Sequence, residues 1–211
     1  MKDLVYWENE IVNYLRGLEF SDSSHDLAHF KRVWHMAKSF SDDGADLLVI
    51  LAASYFHDLV SYPKNHPDRA LSSRHAADKA VEILEQMSFP KDKLGDVAHA
   101  IEAHSYSANI RPLTHEAMVV QDADRMESLG CIGIARTFYV SGLMKGSLFN
   151  SQDPFAQNRS LDDKNFAVDH FYTKLLKLEE TILTSKARAL AKKRSDTLRL
   201  FLNQLKEELL V

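Results

Sequence analysis

The feature that most constrains this chain is a run of ten uncharged residues, Leu47-Leu48-Val49-Ile50-Leu51-Ala52-Ala53-Ser54-Tyr55-Phe56, followed at once by His57-Asp58. A helix that is apolar all round is a buried helix. This one is far shorter than the roughly 20 residues needed to cross a bilayer. An imidazole and a carboxylate therefore stand at the end of the central core helix, where an unpaired charge is costly and is normally paired or metal-bound. Successive helical side chains point about 100° apart. Both groups reach one ion only if it lies in the wedge between them, and other helices must close the shell.

The rest of the chain supplies those helices. Amphipathic spacing predicts helices over residues 4–19, 26–40, 45–59, 71–87, 91–104 and 114–128. A Gly-interrupted apolar helix follows at about 131–145, and two more helices close the chain, the last at about 186–210. With only 7 Gly and 5 Pro in 211 residues, the fold class is all-α. A single domain over residues 1–211 is expected, its core at about 20–130, with C-terminal helices packing on it. Ala187, Leu190, Ala191, Arg194, Leu198, Phe201, Leu202, Leu205 and Leu209 make one stripe on the last helix, read as core or as a homodimer seam. Two segments read as loops: 61–68, with two prolines, and 146–163, an irregular loop or lid.

Composition removes several classes of function. A formal charge of -4 gives no general polyanion-binding surface, so nucleic acid is not the expected partner. The single cysteine, Cys131, excludes an internal disulfide and suits a reducing compartment. The first residues, Met1-Lys2-Asp3-Leu4, carry charge where a signal peptide needs an apolar core, and no run is long enough for a membrane helix. A cytoplasmic protein without membrane attachment is expected. There is neither a Gly-rich phosphate loop nor a His-Glu-x-x-His pair.

Three helices place a polar residue where an apolar one belongs. His29 shares a stripe with Val33, Met36 and Phe40; His104 continues Leu94, Val97 and Ile101; Asp122 shares one with Val119, Met126 and Leu129. A buried carboxylate is expensive unless paired or coordinated. His29, His57, Asp58 and Asp122 together offer two nitrogens, two oxygens and no thiolate. That set suits Mn²⁺, Fe²⁺, Mg²⁺ or Zn²⁺ in a reactive site rather than a structural zinc. Such an ion lowers the pKa of bound water and neutralises phosphoryl oxygens. The chemistry indicated is hydrolysis of a phosphate ester or anhydride.

Three blocks in this order, His25-Asp26-Leu27-Ala28-His29, His57-Asp58 and Gln121-Asp122-Ala123-Asp124-Arg125-Met126, resemble the HD-domain metal-dependent phosphohydrolases. The later blocks Ile101-Glu102-Ala103-His104 and His170-Phe171-Tyr172-Thr173-Lys174 resemble a small bacterial branch of that family. The resemblance implies an HD-type helical bundle around a buried metal held by His29, His57, Asp58 and Asp122. It also implies a nucleotide as substrate, with pyrophosphohydrolysis of nucleoside or deoxynucleoside triphosphates to monophosphate and pyrophosphate. Phosphomonoester or phosphodiester cleavage, or metal-dependent nucleotide sensing without turnover, are the alternatives. One divalent ion is expected, Mn²⁺ first, with Mg²⁺, Fe²⁺, Ni²⁺ or Zn²⁺ also suited. Val60, Ser61 and Tyr62 stand where some HD nucleotidases carry a catalytic glutamate. His75 and His104 are the candidates for a second metal, His75 lying among polar neighbours.

Further roles follow from chemistry. Glu102 and His104, ending the fifth helix, are the candidates to take a proton from water. His25, Lys64, Arg74 and Lys174 are the candidates to bind substrate, the last three as cations for phosphate.

Overall fold

A computed structural model describes residues 3–18, 26–62 and 66–209. Among them there are nine α-helices and no β-strand. The chain forms two compact units, residues 1–124 and 125–211.

The first unit is built around α3, Leu47–Phe56, in which every residue from Val49 to Phe56 is buried. Asp46 starts it by accepting hydrogen bonds from the Leu48 and Val49 amides at 3.0 and 3.3 Å. These are donors that a helix start leaves unmatched. Asp46 is itself held: its own amide donates to Glu116 at 2.9 Å, and its carboxylate pairs with Lys93. Against α3 pack α1 (Leu4–Arg16), α2 (Leu27–Phe40), α4 (Ser72–Gln86) and α5 (Leu94–His104). α1 contributes Trp7, Ile11, Val12 and Leu15, and Glu8 on it accepts from the buried Tyr55 hydroxyl at 3.0 Å. Asp26 caps α2 by accepting from the His29 amide at 2.9 Å, so the motif aspartate sets the turn that carries the motif histidine. Short 3₁₀ turns at Arg69–Leu71 and Lys91–Lys93 lead into α4 and α5. α6, His115–Met126, lies in this unit as far as Asp124, and its last two residues, Arg125 and Met126, belong to the second.

The second unit holds α7 (Gly130–Leu143), α8 (Ala167–Thr173), a 3₁₀ stretch at Leu175–Thr181 and α9 (Ser185–Glu208). Gly130 has φ +66°, and a Cβ there would stand 3.2 Å from Arg194 Cγ. Glycine is needed for both reasons. The Arg194 guanidinium donates to the Met126 carbonyl at 2.7 Å, and the Leu129 amide donates to the same oxygen at 3.2 Å.

The stretch 146–163, read from the sequence as an irregular loop or lid, is anchored to α8. Asp169 is fully buried and accepts two bonds from Arg159, at 2.6 and 2.8 Å, and one from the Asp162 amide at 2.6 Å. Arg159 also lies over the Phe166 ring, 4.7 Å from its centroid. Asp153 accepts from the Gln157 and Asn158 amides, and Ser147 bridges to Phe166. Removing one partner from a buried ion pair strands the other. Arg159→Ala leaves the Asp169 carboxylate uncompensated and is expected to cost about 3–5 kcal/mol. Urea unfolding measures it, with Arg159→Lys falling in between because an ammonium cannot reproduce the two parallel bonds.

No helix of the described residues is long and apolar enough to cross a membrane.

Candidate metal centre

α3 ends at Phe56, and the backbone turns through His57 into Asp58. The Nδ1 of His57 lies 2.9 Å from the Ser54 carbonyl. A carbonyl only accepts, so Nδ1 carries the proton and the neutral ring presents a lone pair at Nε2. His104, the last residue of α5, repeats the device, with Nδ1 at 2.6 Å from the Ile101 carbonyl. Each ring thus closes an orphan carbonyl of its own helix and points its other nitrogen outward.

Those nitrogens meet carboxylates. His29 Nε2 and His57 Nε2 are 3.2 Å apart. Asp58 Oδ2 is 3.5 Å from the His57 nitrogen and 4.0 Å from that of His29. Asp124 Oδ1 is 3.6 and 3.8 Å from the same two atoms. The four ligand atoms lie within 4.8 Å of one another. The other oxygen of Asp58 faces His104 Nε2 at 3.5 Å. His29 and His57 are fully buried, while the Asp58 and Asp124 side chains keep 18% and 25% exposure. The nest is therefore closed behind the imidazoles and open on its carboxylate side.

This donor set fits a divalent ion. Nitrogen and oxygen ligands about 2.1 Å from one ion stand about 3.0–3.4 Å apart at right to tetrahedral angles. Neutral imidazoles and carboxylates bring only lone pairs to the shared point, so their convergence calls for positive charge. The same carboxylates favour positive charge on the imidazole between them. Burial works against the His57 imidazolium, but the Asp58 and then the Asp124 carboxylate outweigh it and raise the group to about 10. Burial likewise opposes ionisation of the two carboxylates, yet the adjacent His57 holds both well below the usual carboxylate range.

One expected ligand lies outside the cluster. Asp124, not Asp122, stands with His29, His57 and Asp58. Residues two apart on a helix point about 200° apart, so only one of the pair faces this point. Asp122 is fully buried on another face of α6. Asp124 shares its own face with Ala117, Val120 and Gln121, all buried. The same angle separates Glu102 from His104: the histidine is at the cluster, and the half-exposed glutamate is not part of it.

The remaining expected residues are scattered. His25 and Lys64 lie outside the described residues. Arg74 is on the exposed face of α4. Lys174 is half-buried in the second unit, just after α8, where its amide donates to the His170 carbonyl at 3.1 Å. His75 is exposed and shares a 3.0 Å hydrogen bond with the Tyr62 hydroxyl. Gln121, quoted in the motif but given no role, reaches from α6 to the Ala103 carbonyl at 2.6 Å.

The family model described as HD domain matches residues 26–129. YpgQ of Bacillus subtilis is 30% identical over 218 residues, spanning 99% of this chain and 96% of that protein. The chain belongs to the HD-domain family. The crystal structure of YpgQ in complex with ADP is similar along 97% of this chain and 95% of its own, with TM-score 0.73 and 28% identity. An HD-superfamily hydrolase from Bacillus thuringiensis is similar over 96% of each chain, with TM-score 0.71 and 28% identity. The protein is thus an HD-superfamily hydrolase, a metal-dependent phosphohydrolase, and the His/Asp nest of its first unit suits the divalent ion that such chemistry uses.

Proposed function

We propose that this HD-domain hydrolase acts on a nucleoside or deoxynucleoside triphosphate, releasing monophosphate and pyrophosphate, with one Mn²⁺ held by His29, His57, Asp58 and Asp124. The observation that carries the metal assignment is the convergence of those four donors within 4.8 Å. Support for a nucleotide comes from YpgQ, whose crystal structure is in complex with ADP and which is similar along 97% of this chain.

A bound divalent ion supplies Lewis acidity, lowering the pKa of water and neutralising charge on phosphoryl oxygens. The chain's own groups do the rest. His29 and His57 form the dry back of the site, and the carboxylates of Asp58 and Asp124 form its open rim. His104 is the base: Nδ1 is held protonated by the Ile101 carbonyl, so Nε2, facing Asp58, is free to take a proton. Water oxygen adds to the α-phosphorus as the bond to the α,β-bridging oxygen breaks. Pyrophosphate leaves, and the water proton passes to His104.

The test is product analysis with pure protein, Mn²⁺ and a panel of ribo- and deoxyribonucleoside triphosphates. Monophosphate and pyrophosphate in equal amounts are expected. Inorganic phosphate alone moves the reading to a phosphomonoesterase. Nucleotide-induced thermal stabilisation without any product moves it to a sensor. His104→Gln is expected to lower kcat about 10²–10⁴-fold, the usual contribution of a positioned acid–base group.

A further inference from the structure

Gln121 is 3% exposed, and its Nε2 donates to the Ala103 carbonyl at 2.6 Å. That bond joins two edges of the site. Ala103 immediately precedes His104 at the end of α5, where the last carbonyls have no partner within the helix. Gln121 lies three residues before Asp124 on α6, one turn back and about 60° round the axis. Of the three carbonyls Ile101, Ala103 and Ser54 at helix ends beside the nest, two are closed by rings that are themselves at the site, and the third by this glutamine.

We infer that Gln121 is a positioning residue for the metal centre: its bond to Ala103 fixes the rotation of α6 against the end of α5, and so holds Asp124 opposite His29 and His57. The inference rests on the proposed metal assignment. Its geometry is demanding, because Asp124 Oδ1 stands 3.6 and 3.8 Å from the two imidazole nitrogens. A small rotation of α6 withdraws it from the shared point. A bond one turn from the carboxylate is placed to resist that rotation. Gln121 acts through that bond to the Ala103 carbonyl.

The experiment compares Gln121→Met, which keeps length and bulk but removes the donor, with Val119→Ala, a fully buried position on the same helix. Mn²⁺ affinity is measured by calorimetry, alongside melting temperature, kcat and KM. Groups that orient metal ligands typically change metal affinity or activity 10–100-fold. Gln121→Met is expected to weaken Mn²⁺ binding at least about tenfold and to lower kcat with KM for nucleotide nearly unchanged. Val119→Ala is expected to melt lower with wild-type Mn²⁺ affinity. Wild-type Mn²⁺ affinity in Gln121→Met overturns the inference, as does an equal loss in Val119→Ala at a matched fall in melting temperature. If the wild-type protein itself binds no Mn²⁺, the metal assignment fails and the inference falls with it. If it binds Mn²⁺ but cleaves no nucleotide, the positioning role is still decided by affinity alone.

Discussion

Asp58→Ala is expected to reduce phosphohydrolase activity by about 10³-fold or more, a larger loss than the 10–100-fold typical of groups that merely orient ligands. Asp58 works on both sides. Its Oδ2 faces the His57 and His29 nitrogens at 3.5 and 4.0 Å, and its Oδ1 faces His104 Nε2 at 3.5 Å. Truncation removes the proposed metal ligand and its contact to the proposed base together. The same change removes a negative charge that favours a cation in the nest. Mn²⁺ titration of the variant is therefore expected to show little or no binding, while its circular dichroism stays helical. Full activity in Asp58→Ala would remove the metal-centre assignment altogether.

Asp124→Asn and Asp122→Asn are expected to behave oppositely. Asp124 is in the donor cluster, so its amide variant loses a charged oxygen from a site that otherwise has one carboxylate and two imidazoles. A loss of about 10²-fold or more in Mn²⁺ affinity is expected, with activity falling in parallel. Asp122 is fully buried and outside the cluster. Its amide variant is expected to keep Mn²⁺ affinity within about threefold and to melt at a lower temperature, since a changed buried polar group typically costs about 1–3 kcal/mol. Calorimetric titration with Mn²⁺ separates the two cases. The reverse result would put Asp122 back at the metal.

The helices and the histidines were legible in the residues, for reasons that can be named. From Leu47 to Phe56 there is no charge, so burial follows without knowing the partners. The structure buries Val49 to Phe56 and puts His57 at the helix end. His29 and His104 interrupted apolar stripes on amphipathic helices, and both are buried beside His57. The loop after α7 was less legible. Its Gly, Ser, Asn and Asp residues read as an irregular connection or lid, and the anchor at Asp169 depends on Arg159, ten residues away, folding back.

The fourth member of the donor cluster, Asp124, is not the aspartate that the sequence pattern favoured. A helical phase can be read only when one face is polar. α6 has Val119, Val120, Asp122 and Ala123 all fully buried, so its buried face is too broad to mark one phase. Asp122 lies on the apolar stripe of Val119, Met126 and Leu129, whereas the face of Asp124 includes the polar Gln121.

The sequence by itself determined an all-helical chain with a histidine-aspartate pair at the end of its most apolar helix, because charge and periodicity are local properties of consecutive residues. Only the tertiary structure decided that Asp124 completes the nest, that His104 rather than Glu102 stands at it, and that Gln121 ties two of its edges. Those choices depend on how far each helix is rotated about its own axis, and that rotation is set by packing against neighbours distant in the chain.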